Sequence, residues 1–335
     1  MPYLGNSASV KRRKSIVRIV YDFCIHNVMR IRWAYAFLLQ TYRYRVEFTK
    51  AHSITEKLPL FLQSFQRTFI DRKRIFFYPD RPTSLYCAIY KILMFLGYRI
   101  TSETQKNCDL AIKYWHGFDG NPFYSEKSFP QLKSTKQNGV KVLNIRCNDI
   151  SKVRVNSVFE DTFGYPLSVD PRKHSGKCVM KSNWNALHKG QIIECPTELG
   201  EADFVYQKLI QNEVGDGLVE DMRVPIFGHK TPFVYLKYRL LENRFVDREH
   251  TAKKATIVEV PEVLSEDELN NIYRFCEKIG LDYGELDVLR DRVDGRIYII
   301  DANIAPSGPP SPISDDEAKV AVVRLAQAFE EAFGA

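Results

Sequence analysis

The stretch Tyr283-Gly-Glu-Leu-Asp-Val-Leu-Arg-Asp-Arg-Val-Asp-Gly-Arg-Ile-Tyr-Ile-Ile-Asp-Ala-Asn-Ile-Ala-Pro-Ser-Gly-Pro-Pro310 reads as two strands meeting at a turn marked by Asp294-Gly295. Loop length decides which side chains meet. A two-residue loop, Asp294-Gly295, sets Asp287 opposite Ala302; a three-residue loop, Val293-Asp294-Gly295 with Gly295 left-handed, sets Asp287 opposite Asp301, and this second register is the one we favour. Asp301 and Asn303 lie two apart on a strand and project to one face, where Asp287 joins them. Two carboxylates and an amide oxygen inside Ile-Tyr-Ile-Ile sequence are costly to desolvate unless a cation sits among them. Magnesium suits such hard oxygen donors, because it is commonly held by few protein ligands and completes its shell with water and phosphate oxygens.

Working outward, residues Arg74 to Trp115 alternate strand, turn and helix. The run Ile75-Phe76-Phe77-Tyr78 is followed by Pro79-Asp80-Arg81-Pro82, then by a helix expected over Ser84 to Leu96 with Leu85, Ile89, Ile92, Leu93 and Leu96 on one face, ended by Gly97. Strand-like runs return at Asp109 to Trp115 and Lys141 to Arg146, which predicts a small α/β domain with a mainly parallel sheet over 72–148. Capping boxes at Ser53/Glu56 and Ser265/Glu268, and the same spacing at Ser314/Glu317, announce three further helices.

Hydrophobic residues make up 44% of the 335, ample for a packed core. The net charge of +7 is concentrated at one end: residues 1–50 carry ten Lys and Arg against Asp22 and Glu47, a net +8 that leaves −1 for the remainder. A balanced body gives no reason to expect nucleic acid as a partner. The seven cysteines are scattered singly, without the close pairing of zinc or redox sites, which points to a reducing cytoplasm. The longest apolar uncharged stretch near the start, Trp33 to Tyr42, is about half of the ~20 residues a spanning helix needs. The basic, helical first fifty residues read either as an extension packed on the body or on a second subunit, or as an amphipathic anchor on an anionic membrane surface.

The hairpin resembles the metal-binding hairpin of the ATP-grasp ligases, in which an Asp precedes a Glu/Asp-x-Asn and a Pro-Gly-type loop, and other pieces follow the same order over about residues 149–310. Asp149-Ile-Ser-Lys152, a helix and Phe163-Gly-Tyr-Pro166 are similar to the opening segment whose lysine reaches the nucleotide phosphates. Cys178-Val-Met-Lys181 resembles the strand bearing the second phosphate lysine, and Ser182 to Gly190, with His188, the loop over the phosphates. Val205-Tyr-Gln-Lys-Leu-Ile210 looks like the adenine hinge, with Gln207, Lys208, Leu209 and Ile210 towards the base and Glu213 towards the ribose. Asp221-Met-Arg223 and Leu236-Lys-Tyr-Arg239 match strands that direct basic side chains at the γ-phosphate and the reacting carboxyl. Two departures stand out: Glu285 occupies a place that is often arginine, and the phosphate loop has one glycine, Gly190.

The resemblance implies an α+β, ATP-grasp fold of two subdomains clasping ATP, with a lid over 149–205 and a metal and adenine subdomain over 206–335. The α/β domain at 72–148 and a basic helical extension at 1–71 precede it. It implies Mg²⁺ on Asp287, Asp301 and Asn303, ATP phosphates on Lys152 and Lys181, and catalytic roles for Arg223 and Arg239. The implied reaction is carboxylate activation as an acylphosphate and transfer to an amine, with ADP and phosphate released; its rivals are a kinase of the same fold, acting on a hydroxyl, and a non-catalytic nucleotide-binding module. The acceptor expected is a small molecule, glycan or peptide with an amine co-substrate, lodged against a wall at Lys113-Tyr-Trp-His-Gly-Phe-Asp119. Homodimers are common among proteins of this kind.

Overall fold

The computed structural model describes residues 16–71, 73–101, 108–115, 129–183, 190–199, 203–245 and 251–334, with side chains from Ile31 onward, Trp33 excepted. Two helices lead: α1 (Ile16–Phe48) and α2 (Ile54–Phe69), the second opened by the expected capping box at Ser53 and Glu56. A four-stranded parallel sheet follows, in the order β2 (Arg99–Thr101), β1 (Arg74–Pro79), β3 (Leu110–Tyr114), β4 (Val142–Leu143). Helices α3 (Ala88–Leu96) and α4 (Pro130–Gln137) accompany it. The parallel pairing agrees with the alternating sequence pattern. Two details differ: Leu85 is exposed in a turn before α3, and the last strand is shorter than Lys141 to Arg146, because Asn144 leaves the strand at φ 58°.

Helix α5 (Lys152–Phe163) leads into a small antiparallel sheet, β6 (Gln191–Cys195), β5 (Gly176–Ser182) and β7 (Phe204–Lys208). A larger antiparallel sheet runs β11 (Ala252–Val258), β10 (Val234–Leu240), β9 (Leu218–Phe227), β12 (Tyr283–Arg290), β13 (Ile297–Asn303), with β8 (Glu213–Gly215) against β9. Helices α6 (Val260–Val263) and α7 (Glu266–Ile279) precede β12, and α8 (Asp315–Phe333) closes the chain. Period-two alternation divides the large sheet cleanly. One face sends Met222, Val224, Ile226, Leu286 and Val288 against Val155 and Phe159 of α5 and Ile272 and Phe275 of α7. The other sends Phe227, Phe233, Tyr235 and Tyr283 against Leu325 and Phe329 of α8, in a core shared with α3 and the parallel sheet.

The decisive hairpin pairs Asp287 with Asp301, as favoured from sequence, but by a different route. Next to the turn the register is Arg290 to Ile297, and Asp291 donates its N–H to the Arg296 carbonyl, so the loop is longer than three residues. Pairing then jumps from Val288–Ile299 to Asp287–Asp301. Ile300 is the extra residue of a β-bulge, and the bulge rather than the loop brings the two aspartates face to face. Gly295 is left-handed at φ 72°, as the turn requires.

Candidate functional site

Along the face of the large sheet that α8 covers at one end, the side chains change character. Arg223 of β9 pairs in register with Tyr235 of β10 and Asp287 of β12, and Asp287 pairs in turn with Asp301 of β13. Asp221 lies opposite Lys237 in the neighbouring row. Opposite charges on adjacent strands then meet: Arg239 reaches Asp221 at 2.7 Å, and Arg223 reaches Glu285 at 3.1 Å and Asp287 at 3.3 Å. Gly284 admits this packing, since a Cβ there would lie 2.4 Å from the Asn303 carbonyl oxygen.

Burial shapes the acids of this face. It pushes the Glu285 carboxyl up to about 7 against the pull of Arg223, raises Asp221 against Arg239, and raises Asp301 against Lys152. Such carboxylates are short of positive charge.

The opposite wall supplies it. Lys152 stands in the first turn of α5, whose start is fixed twice: the Ser151 hydroxyl accepts from Arg154 N–H at 3.2 Å, and Asn183 Oδ1, just past β5, accepts from Val153 N–H at 3.1 Å. Lys181 sits on β5. Burial first, and the charge of Lys152 second, lower its ammonium to about 8, while Asp301, Asp287 and Asp221 pull it back. Two lysines from one wall and three aspartates from the other therefore share one electrostatic neighbourhood, on pieces that stand far apart in sequence.

The hinge residues are placed less simply. Gln207, expected towards the base, is 1% exposed and its amide donates to Asn156 Oδ1 of α5 at 2.6 Å. Lys208 is committed to the β12–β13 turn, at 2.7 Å from Asp291 and 2.6 Å from Asp294. Burial alone would lower its ammonium, but these partners outweigh burial and raise it. Leu209 and Ile210 lie between strands, and the Ile210 carbonyl accepts from Arg244 at 2.8 Å. Glu213 is exposed on β8, and the backbone of Gly190 abuts the Phe245 ring. Asn303 is exposed at the end of β13, with its amide oxygen accepting from Ala305 N–H at 2.9 Å. His188 lies outside the described residues, as do residues 116–119 of the expected acceptor wall; Lys113 is buried and bonded to the Cys147 carbonyl at 2.6 Å.

Two participants were not singled out from sequence. Asp221 partners Arg239, and its signal was available in the alternation of Asp221 and Arg223 opposite Lys237 and Arg239. Arg244, which holds the hinge through Ile210 and Asn212, has no local pattern to mark it.

Among the described residues no three His, Cys, Asp or Glu side chains gather closely enough to hold a metal by themselves. Asp287 and Asp301, in register, with Asn303 two residues on, are instead a sparse oxygen set that fits magnesium completed by phosphate and water. The raised Asp301 carboxyl is what a cation beside it would relieve.

No family model matches this chain, and no curated protein matches it in sequence. Solved structures do. The ATP-grasp ligase PsnB complexed with minimal precursor, Mg and ADP superposes with TM-score 0.50 at 14% identity, over 76% of this chain and 96% of that one. D-alanine–D-alanine ligase from Bacillus anthracis complexed with ATP gives 0.46 at 14% identity, over 78% and 97%. The macrocyclase MdnC bound with precursor peptide MdnA from Microcystis aeruginosa MRC gives 0.42 at 13%, over 78% and 99%. The chain has the ATP-grasp fold.

Proposed function

We propose that this protein is an ATP-dependent carboxylate–amine ligase that works in the cleft between the small sheet and the charged end of the large one. The observation that supports the reading is the mutual electrostatic influence of Lys152 and Lys181 with Asp287 and Asp301, brought together from distant parts of the sequence on an ATP-grasp fold. The presence of Mg and ADP in the PsnB complex supports the same assignment.

Lys152 and Lys181 neutralise phosphate oxygens, and a Lys181 ammonium lowered only to about 8 stays protonated at neutral pH. Asp287, Asp301 and Asn303 would hold magnesium, which would supply further charge neutralisation to the phosphates. Leu209 and Ile210 offer peptide groups to the base, and Glu213 its carboxylate to the ribose. Arg223 and Arg239 are anchored by Glu285 and Asp221, so their guanidinium groups are oriented before substrate arrives. They hold the substrate carboxylate, whose oxygen attacks the γ-phosphorus as the bond to ADP breaks. The amine nitrogen then attacks the acyl carbon, phosphate leaves with the oxygen, and the amine proton passes to solvent. Positioning and charge do this work, without a covalent enzyme intermediate. The reaction belongs in the cytoplasm, where ATP and magnesium are abundant.

Hydroxylamine trapping tests the reading. Across a panel of amino acids, peptides and acidic sugars supplied with Mg-ATP, the productive acid yields a hydroxamate together with ADP. ADP formed with a phosphate ester on a hydroxyl acceptor, and no hydroxamate with any acid, would make the protein a kinase.

A further inference from the structure

Helix α2 divides its apolar residues between two faces. Its fully buried residues are Ser64 and Thr68, and polar contacts tie it to the body: Arg67 donates to the Leu96 carbonyl at 3.1 Å and pairs with Glu330 at 2.8 Å. Leu60 and Phe61 are half-buried on that same side, whereas a second set of apolar residues faces outward. Ile54, Leu58, Leu62 and Phe65 fall at helical spacing on one stripe and are 83%, 54%, 57% and 43% exposed, and Ile70 follows at 69%. Helix α1 continues the patch, because Ile31 and Tyr35 share the stripe of Tyr42, whose ring meets Phe61 of α2 edge-on at 5.4 Å. A contiguous apolar patch of this kind marks an interaction surface rather than ordinary surface scatter.

Charge identifies what covers it. The patch is continuous with the first fifty residues, which carry a net +8. Arg45 is buried against the Phe95 carbonyl and Lys50 pairs with Asp316, but Arg32 and Arg43 are exposed on α1 beside the stripe, and Lys11, Arg12, Arg13 and Lys14 precede it in sequence. A second copy docked through this patch would bring two such basic segments together. An anionic surface would instead neutralise them while taking up the apolar stripe. No described helix is long and apolar enough to cross a bilayer, so the contact lies along the surface. We propose that the outward face of the α1–α2 hairpin docks this protein on an anionic phospholipid bilayer. The proposal is independent of the nucleotide reading.

The experiment is cosedimentation of the full chain with vesicles of phosphatidylcholine alone and of phosphatidylcholine with one third phosphatidylserine, alongside light scattering without lipid. The expected result is recovery with the anionic vesicles only, loss of about tenfold or more in the Leu58→Glu, Leu62→Glu double variant, and a monomer in solution. Both positions are exposed, so the variant should keep the parent's melting temperature, which separates loss of docking from loss of fold. Absence of cosedimentation, equal recovery with neutral vesicles, or a parental dimer that the variant dissociates would overturn the proposal, the last in favour of a second copy of this chain.

Discussion

Phe227 and Tyr283 lie on β9 and β12, and Phe233 immediately before β10, under helix α8; four residues further along these three segments, on the same face, stand Arg223, Lys237 and Asp287. Local backbone structure is alike at the two ends, and period-two alternation puts all six side chains on one side. What differs is the neighbour. At the aromatic end α8 lays Leu325 and Phe329 over the sheet and excludes water. At the charged end Lys152 of α5 and Lys181 of β5 lie within electrostatic reach of the sheet's carboxylates. The seam between them is Glu285, buried and paired with Arg223. One end holds the fold together, and the other gathers charges of both signs that the proposed function assigns to a polyanion and its cation.

That division can be broken first at the aromatic end. Phe329 is fully buried and its ring lies edge-on to Phe227 and to Tyr283, each at 6.4 Å. Phe329→Ala should cost about 3–5 kcal/mol of unfolding free energy while leaving the affinity for Mg-ATP, measured by calorimetry below the melting transition, within about twofold. A variant that stays folded but loses ATP would show that the two ends are not separable.

A smaller and opposite effect is expected at the charged end. Lys181 has its ammonium lowered to about 8, first by burial and then by Lys152. The folded state therefore disfavours the proton that the unfolded chain keeps until the ordinary lysine range, so the penalty is full below about 8 and is relieved as pH rises towards that range. Lys181→Met should raise the stability of the nucleotide-free protein by about 1 kcal/mol at neutral pH, flatten the rise of stability in mildly alkaline solution, and weaken ATP binding. Denaturant melts at several pH values read the first two. A less stable Lys181→Met protein would mean that the lysine is already compensated by Asp301, Asp287 and Asp221.

Much of this was legible in the chain. Asp294-Gly295 between two alternating runs located the hairpin, and the favoured three-residue loop set Asp287 opposite Asp301, a pairing that the structure reaches through a bulge instead. The bulge at Ile300 was not legible, since nothing local distinguishes it from Ile299, and the skipped residue is set by the packing of β13 against α5 and β12. The orientation of Gln207 was hidden for a related reason: alternation assigns a side chain to a face but cannot say that Asn156 of α5 waits there. The outward stripe of α2 was not legible either, since the capping box locates a helix without saying which residues meet the body; Leu60 and Phe61 turn inward while Ile54, Leu58 and Leu62 stay exposed.

The central claim is that the charged end of the large sheet is a magnesium–nucleotide site. Its most direct test is the melting temperature of the intact chain and of Asp287→Ala and Asp301→Ala variants, with and without Mg-ATP. At ~100 times the dissociation constant ATP should add about 2.7 kcal/mol to the parent. The account predicts an upward shift in the parent that needs magnesium and disappears in both variants. A folded parent that shows no shift, or variants that shift as the parent does, would contradict it.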